Sequence, residues 1–288
     1  MHRRDLLKGF VLGGVAVALR PASALAKPPT GGAEAKLAAL ERGHGGRLGV
    51  AVLDTGDGTR VSWRGDERFL MCSTFKLLLV SAVLRRVDRG GEKLDRRIVF
   101  DRNALLEYAP VTRQHVGAPG MSIAQLCEAA ITLSDNTAAN LLVACIGGPS
   151  GVTGYARTLG DTLTRLDHIE PFLNRPNGDD DTTTPDAMLA DLRELLLGDV
   201  LSQTSRAQLT QWLLANQTGA DSLRAGLPSD WRIGDKTGSG NTANNDVAIA
   251  WPPRRKPVLV AAYYENPKAD VVARKAVLAE AGRIVAQM

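Results

Sequence analysis

The residues that most constrain this chain run from Cys72 to Leu84, Cys-Ser-Thr-Phe-Lys followed by Leu-Leu-Leu-Val-Ser-Ala-Val-Leu. The stretch reads as a helix that starts near Cys72 and is apolar on every side. A helix of that kind must be enclosed by other elements rather than laid on a surface. Ser73 and Lys76 are three residues apart at its start, so one turn puts both side chains on the same face. A hydroxyl and an amine at the buried start of a helix are costly unless they are used. One reading is a nucleophilic serine with its proton acceptor. The other is a serine N-cap and a lysine whose stem is buried while its head reaches water. A lone Ser-x-x-Lys is too short to choose between them.

The rest of the composition sets bounds. A length of 288 residues allows one or two domains with ample core. Apolar residues at 44% and charged residues at 23% are ordinary globular values. The net charge of +4 is scattered, apart from Arg254-Arg255-Lys256 in a turn, so no nucleic-acid surface is expected. Three cysteines, Cys72, Cys127 and Cys145, allow at most one bridge. With no Cys-x-x-Cys and no histidine cluster, they suggest no metal site. Cys127 and Cys145 sit in apolar helical patterns and are expected as buried thiols. At the N-terminus, Arg3-Arg4-Asp5-Leu6-Leu7-Lys8 precedes an apolar run over residues 9–19 and then Ala24-Leu25-Ala26. The pattern predicts a twin-arginine export signal, residues 1–26, cut after Ala26. The run is too short to span a bilayer. A periplasmic or secreted protein follows, with no membrane attachment once the signal is gone.

Taken in order, residues 33–42 have helical spacing, with Leu37 and Leu40 on one face. Residues 47–53 and 60–63 read as strands joined by the turn Thr55-Gly56-Asp57-Gly58, a hairpin. From Phe69 the texture turns helical. Ser122 and Gln125 have capping-box spacing and open a helix to Leu133. Further helices are predicted over 137–146, stopped by Gly147-Gly148, and over 186–197 and 205–217. Strand patterns return at 231–234, 246–251 and 257–264, and a last helix covers 270–288. The fold predicted is α+β. An antiparallel five-stranded sheet built from both ends of the chain, residues 27–66 and 218–288, is flanked by the first and last helices. A helical insertion, residues 67–217, completes it. Sites often lie in the crevice between two such parts.

Three further motifs carry chemistry. Ser134-Asp135-Asn136 lies between two helices. It is either a helix end plus an N-cap, or a hydroxyl that relays a proton beside an amide that binds a carbonyl. Lys236-Thr237-Gly238-Ser239 stands at a strand edge. It offers a charge and a hydroxyl for a carboxylate, a glycine that lets backbone approach a ligand, and the Ser239 N–H. In Arg165-Leu166-Asp167-His168-Ile169-Glu170-Pro171-Phe172-Leu173-Asn174, a carboxylate and an amide lie four apart in a Pro-interrupted loop, a geometry that could hold a water between them.

Ser-x-x-Lys, Ser-Asp-Asn and Lys-Thr-Gly in this order form a known set, and the chain resembles the class A serine β-lactamases over nearly its whole length. The run from Arg165 to Asn174 resembles their Ω-loop, Asp181-Thr182-Thr183-Thr184-Pro185 its exit, and Glu107-Tyr108 with Pro110-Val111-Thr112 the aromatic wall at the cleft mouth. The resemblance implies hydrolysis of a β-lactam through an acyl-enzyme on Ser73, with no metal or organic cofactor, by a monomer. The N–H groups of Ser73 and Ser239 would bind the oxyanion. Either Lys76, or Glu170 through water, would be the acylation base. Ser134, assisted by Lys236, would protonate the leaving nitrogen. Glu170 with Asn174 would activate the water. Asn136, Tyr108, Lys236, Thr237 and Ser239 would bind substrate. A penicillin-binding DD-peptidase shares the short motifs and is the alternative; a non-catalytic penicillin sensor is a second.

The chain also departs from that family. His168 stands where an arginine usually pairs with the aspartate here numbered Asp181. The stretch 175–180 is about two residues short, and a looser loop with a wider pocket is expected. No arginine occupies residues 241–245 to bind the substrate carboxylate, which leaves Arg274 or Lys275. Cys72 has no partner, since Gly240 stands where some relatives place one, and three free thiols are expected.

Overall fold

β1 (Arg47–Asp54) and β2 (Arg60–Trp63) form the predicted hairpin, and β3 (Arg232–Ser239), β4 (Ala243–Trp251) and β5 (Val258–Glu265) a second group of strands. A computed structural model describes residues 32–288; the export-signal reading lies outside them. The five strands make one sheet in the order β2-β1-β5-β4-β3, antiparallel throughout. β1 lies against β5 in a register that pairs Val50 with Ala262 and Val52 with Val260. Alternate residues on these strands face opposite ways. Leu48, Val50 and Val52 join Leu37 of α1 (Gly32–His44) and Leu278 of α9 (Val271–Val285) in one core. Ala51 and Leu53 join the other core, with the inserted helices.

The insertion contains α2 (Phe75–Asp88), α3 (Ile123–Thr132), α4 (Asn136–Cys145), α5 (Pro149–Thr158), α6 (Pro185–Leu196) and α7 (Gln203–Leu214). A short α8 (Leu223–Gly226) leads back to the sheet. α2 is enclosed as its apolar surface requires: Leu77, Leu78, Leu79, Val80, Val83 and Leu84 are all 0% exposed. α3, α4, α5 and α7 pack around it. The capping box at Ser122 and Gln125 is formed, with the Gln125 N–H donating to Ser122 Oγ at 3.2 Å and the Ser122 N–H to Gln125 Oε1 at 2.9 Å.

The structure corrects several sequence expectations. The α-helix starts at Phe75, after a 3₁₀ turn over Cys72–Thr74, and the reading that started it near Cys72 was too early. Cys72 has φ +45°, a left-handed backbone that cannot continue a helix. α5 was not anticipated; Gly147-Gly148 ended one helix and Pro149 began the next, the position proline favours. β4 starts at Ala243, before the predicted 246. Asn244 and Asn245 are weak strand formers, but pairing with β3 on one side and β5 on the other overrides that preference. All three thiols are free; Cys72 and Cys127 are buried as a core sulfur should be, but Cys145, at the end of α4, is only half-buried.

Candidate active site

The turn before α2 presents Ser73 to the crevice between sheet and insertion. The Ser73 hydroxyl caps nothing, which removes the N-cap reading. Lys76 Nζ lies 3.0 Å from Ser73 Oγ. It does not snorkel: the lysine is 0% exposed. Its ammonium also donates to the Ser134 carbonyl at 2.8 Å and to Asn136 Oδ1 at 2.6 Å. Glu170 completes the group, with Oε1 3.1 Å from both Ser73 Oγ and Lys76 Nζ.

Ser134 sits between α3 and α4 at φ +55°, and it is Asp135, not Ser134, that caps α4 through the Ala138 N–H at 2.9 Å. The Asp135 carboxylate also accepts from the N–H groups of Val111 and Thr112, each at 2.9 Å. The Asn136 N–H donates to the Tyr108 carbonyl at 3.1 Å. One buried carboxylate thus fixes both the Ser-Asp-Asn turn and the segment that carries Tyr108. Left-handed φ values at Cys72 and Ser134, on either side of the reacting group, place two strained backbone positions at the site.

On β3, Lys236 Nζ donates to Ser134 Oγ at 3.1 Å and to the Thr237 carbonyl at 2.7 Å. Thr237 Oγ1 is 2.5 Å from Thr218 Oγ1. The bare side of Gly238 faces the turn that carries Ser73. A Cβ there would stand 2.7 Å from the Met71 carbonyl and 3.2 Å from Cys72 Cβ, so its bare side lets β3 close onto the turn that carries Ser73. β3 is an edge strand, and the Gly240 N–H bonds the Ala243 carbonyl at 2.9 Å. By the alternation of an antiparallel ladder, Ser239 and Asn244 are then a non-hydrogen-bonded pair, and the Ser239 N–H faces away from the sheet.

The loop from Arg165 to Asp181 brings Glu170 in. Asn174 Nδ2 donates to Glu170 Oε2 at 2.7 Å. Asn140 of α4 clamps the Glu170 backbone, donating to its carbonyl at 2.9 Å and accepting its N–H at 3.0 Å. The base of the loop is tied by Asp181, whose Oδ1 accepts the N–H groups of Asp167 and His168 at 2.8 and 2.9 Å. His168 Nδ1 is 2.6 Å from Asp181 Oδ2. The arginine's partner is therefore met by the imidazole. That contact does not require a charged ring, because a neutral imidazole with its proton on Nδ1 also donates. The carboxylate holds the His168 pKa above the usual histidine range.

Eight of the ten predicted site residues line one cavity of about 430 Å³; the other two, Lys76 and Lys236, lie buried beneath it. Thr218 and Lys275 also line it. Burial pulls the Lys76 ammonium below its ordinary range while Glu170 works against the change. Burial and the charge of Lys76 bring Lys236 down to about 7. Sequence reading missed Asn140 and Thr218. Asn140 is four residues from Asn136 and so on the same helix face, the one available signal. Thr218, whose Oγ1 meets that of Thr237, gave none. Of the two candidates Arg274 and Lys275, Lys275 reaches the cavity, and Arg274 is buried away from it.

A serine touched by a buried lysine and a buried carboxylate, facing a second serine–lysine pair, defines an acyl-transfer site of the penicillin-recognising kind. The sequence pattern of the β-lactamase enzyme family matches residues 32–288. The β-lactamase CTX-M-8 of Citrobacter amalonaticus is 47% identical over 253 residues, 87% of each chain. CTX-M-25 of Escherichia coli is 44% identical over 288 residues, 99% of each. Among solved structures, a class A β-lactamase of the last common ancestor of Gram-negative bacteria aligns with TM-score 0.86 at 58% identity, over 88% of this chain and 98% of that one. The chain belongs to the β-lactamase family, in its class A. These comparisons favour that reading over the DD-peptidase.

Proposed function

We propose that the chain hydrolyses the β-lactam amide of penicillins and cephalosporins through an ester on Ser73, and so confers resistance to them. The observation that carries this is the position of Glu170: one carboxylate oxygen 3.1 Å from Ser73 Oγ, the other held at 2.7 Å by Asn174. A carboxylate beside the ester oxygen is what deacylation needs and what an enzyme that keeps its acyl group would lack. Ser73 Oγ adds to the lactam carbonyl while its proton passes to Lys76 as the neutral amine, or through water to Glu170. Lys76 Nζ, 3.3 Å from Ser134 Oγ, relays it to Ser134, which leaves Glu170 ionised for the next step. The N–H groups of Ser73 and Ser239 hold the oxyanion; losing one such donor costs about 2.7–4 kcal/mol in other enzymes. The Ser134 hydroxyl, assisted by Lys236, gives its proton to the ring nitrogen as the C–N bond breaks. A water then adds to the ester carbonyl, its proton going to Glu170, and Ser73 leaves and is reprotonated. Asn174 Oδ1, buried with no partner among the described residues, is an acceptor suited to orient that water.

Asn136 spends its carbonyl oxygen on Lys76, which leaves its Nδ2 for the carbonyl of a substrate side chain. Tyr108 is 50% exposed and supplies the wall. Lys236, Thr237 and Ser239 serve the substrate carboxylate, and Lys275 stands in for the missing arginine. The enzyme acts as a monomer in the periplasm or outside the cell, reached by the twin-arginine route; among the described residues no helix is long and apolar enough to cross a membrane. In Glu170→Ala, penicillin is expected to leave a stable adduct on Ser73, seen by intact mass, with turnover lowered roughly 10²–10⁴-fold. Rapid loss of the adduct at normal turnover would remove Glu170 from this role.

A further inference from the structure

Ser239 reaches the cavity, and its hydroxyl is held from behind. Asn244, opposite on β4, places Nδ2 2.8 Å from Ser239 Oγ. Behind Asn244, Arg274 of α9 places Nε 2.7 Å from Asn244 Oδ1. Asn244 is 2% exposed and Arg274 5%. The direction of this row is forced. A guanidinium carries only donors, so the asparagine atom that faces it is the carbonyl oxygen. The atom that faces Ser239 is then the amide nitrogen, which can only donate. Ser239 Oγ must accept, and its own proton is free to turn toward the cavity.

Arg274 also lends charge. Its other hydrogen bonds run to backbone carbonyls, among them Ala269 at 2.5 Å and Gly240 at 3.2 Å, and none runs to a carboxylate. A buried cation without a carboxylate in contact keeps its field, and hydrogen bonds in a row polarise one another. We propose that Asn244 and Arg274 are positioning residues for substrate recognition: they set Ser239 as a fixed hydroxyl donor aimed at the carboxylate that β-lactams carry beside the ring. The inference rests on the hydrolytic reading above and adds the residues that orient one of its binding groups.

The competing account is structural, in which Arg274 merely pins α9 to the β3–β4 turn. The two separate when a penicillin is compared with its methyl ester, which lacks the negative charge. In Asn244→Asp, the new carboxylate still pairs with Arg274, but its second oxygen draws the Ser239 proton away from the cavity. The ratio of kcat/KM for the acid to that for the ester is expected to fall about tenfold or more, mostly through KM, the size of one hydrogen bond to a charged group. Ser239→Ala should lower the same ratio, and in that background Asn244→Asp should do markedly less. Asn244→Leu, which frees the hydroxyl, gives a second route to a smaller drop, with melting temperatures confirming folding. Equal losses on acid and ester, or an unchanged ratio, would overturn the assignment. A parent enzyme that turns over neither compound would overturn the hydrolytic reading, and this one with it.

Discussion

At the scale of single residues, the site is governed by two lysines that the fold has stripped of water. Lys236 titrates near 7 because burial and Lys76 both disfavour its charge. A lysine lowered in this way is cationic below that value and neutral above it. If its charge draws in the substrate carboxylate, kcat/KM should decline as pH rises through about 7, and Lys236→Arg, charged throughout, should move the decline to higher pH at a lower plateau. A pH–rate profile of the two enzymes checks this; parallel profiles would count against the role. The residues proposed to react stood out in sequence because Ser73 and Lys76 share a turn and because the two other motifs have fixed spacings. Their mutual distances were not. Lys236 meets Ser134 across 102 positions of chain, and only the folded sheet brings them together. Gly238 shows the limit plainly: a glycine says that something comes close, and only the strand's facing says whether it is a ligand or, as here, the Met71 carbonyl.

Elements explain how these side chains hold their places. β3 lies so near the Ser73 turn that Gly238→Ala must push one of them aside; overpacking of this sort costs typically about 1–3 kcal/mol. Activity is expected to fall more than stability, measured as kcat/KM beside a urea midpoint, since the N–H groups of Ser73 and Ser239, the proposed oxyanion donors, sit on the two parts being separated. The loop from Arg165 to Asp181 depends on His168. Its pKa is raised by Asp181, so the pair's contribution is whole below the unperturbed value of about 6.5 and is lost as pH rises through the higher folded value. Hydrogen-exchange protection over residues 165–181 should drop across that window in the parent and stay level in His168→Arg. The ring is 42% exposed, so the effect is confined to the loop and modest. Most of the longer helices and the strand count of the sheet were legible from periodicity and caps, α5 excepted. The loop's closure was not, because the resemblance only marked the arginine as missing, and the imidazole's reach to Asp181 is a matter of geometry.

At the scale of the whole molecule, a buried acid away from the chemistry sets a pH dependence of stability. Asp191 of α6 is 1% exposed, and burial next to Asp161 pushes its pKa up to about 9. The folded state therefore keeps a proton that the unfolded chain releases near pH 4, and stability should fall as pH rises from about 4 to about 9. Asp191→Asn, which cannot titrate, should flatten that slope and be more stable at pH 8 by on the order of a few kcal/mol, read from urea unfolding at several pH values. The topology has a consequence for how the protein comes into being. β1 has β2 on one side and β5 on the other, and Val50 waits for Ala262. On a ribosome the first strand is made early and its neighbour only near the finish. A chain interrupted anywhere in the helical insertion would leave β1 with an open edge and no enzyme. Assembly of the catalytic crevice is thus tied to completion of synthesis: until the last strands are made, β1 lacks one neighbour and Ser73 lacks the strand that faces it.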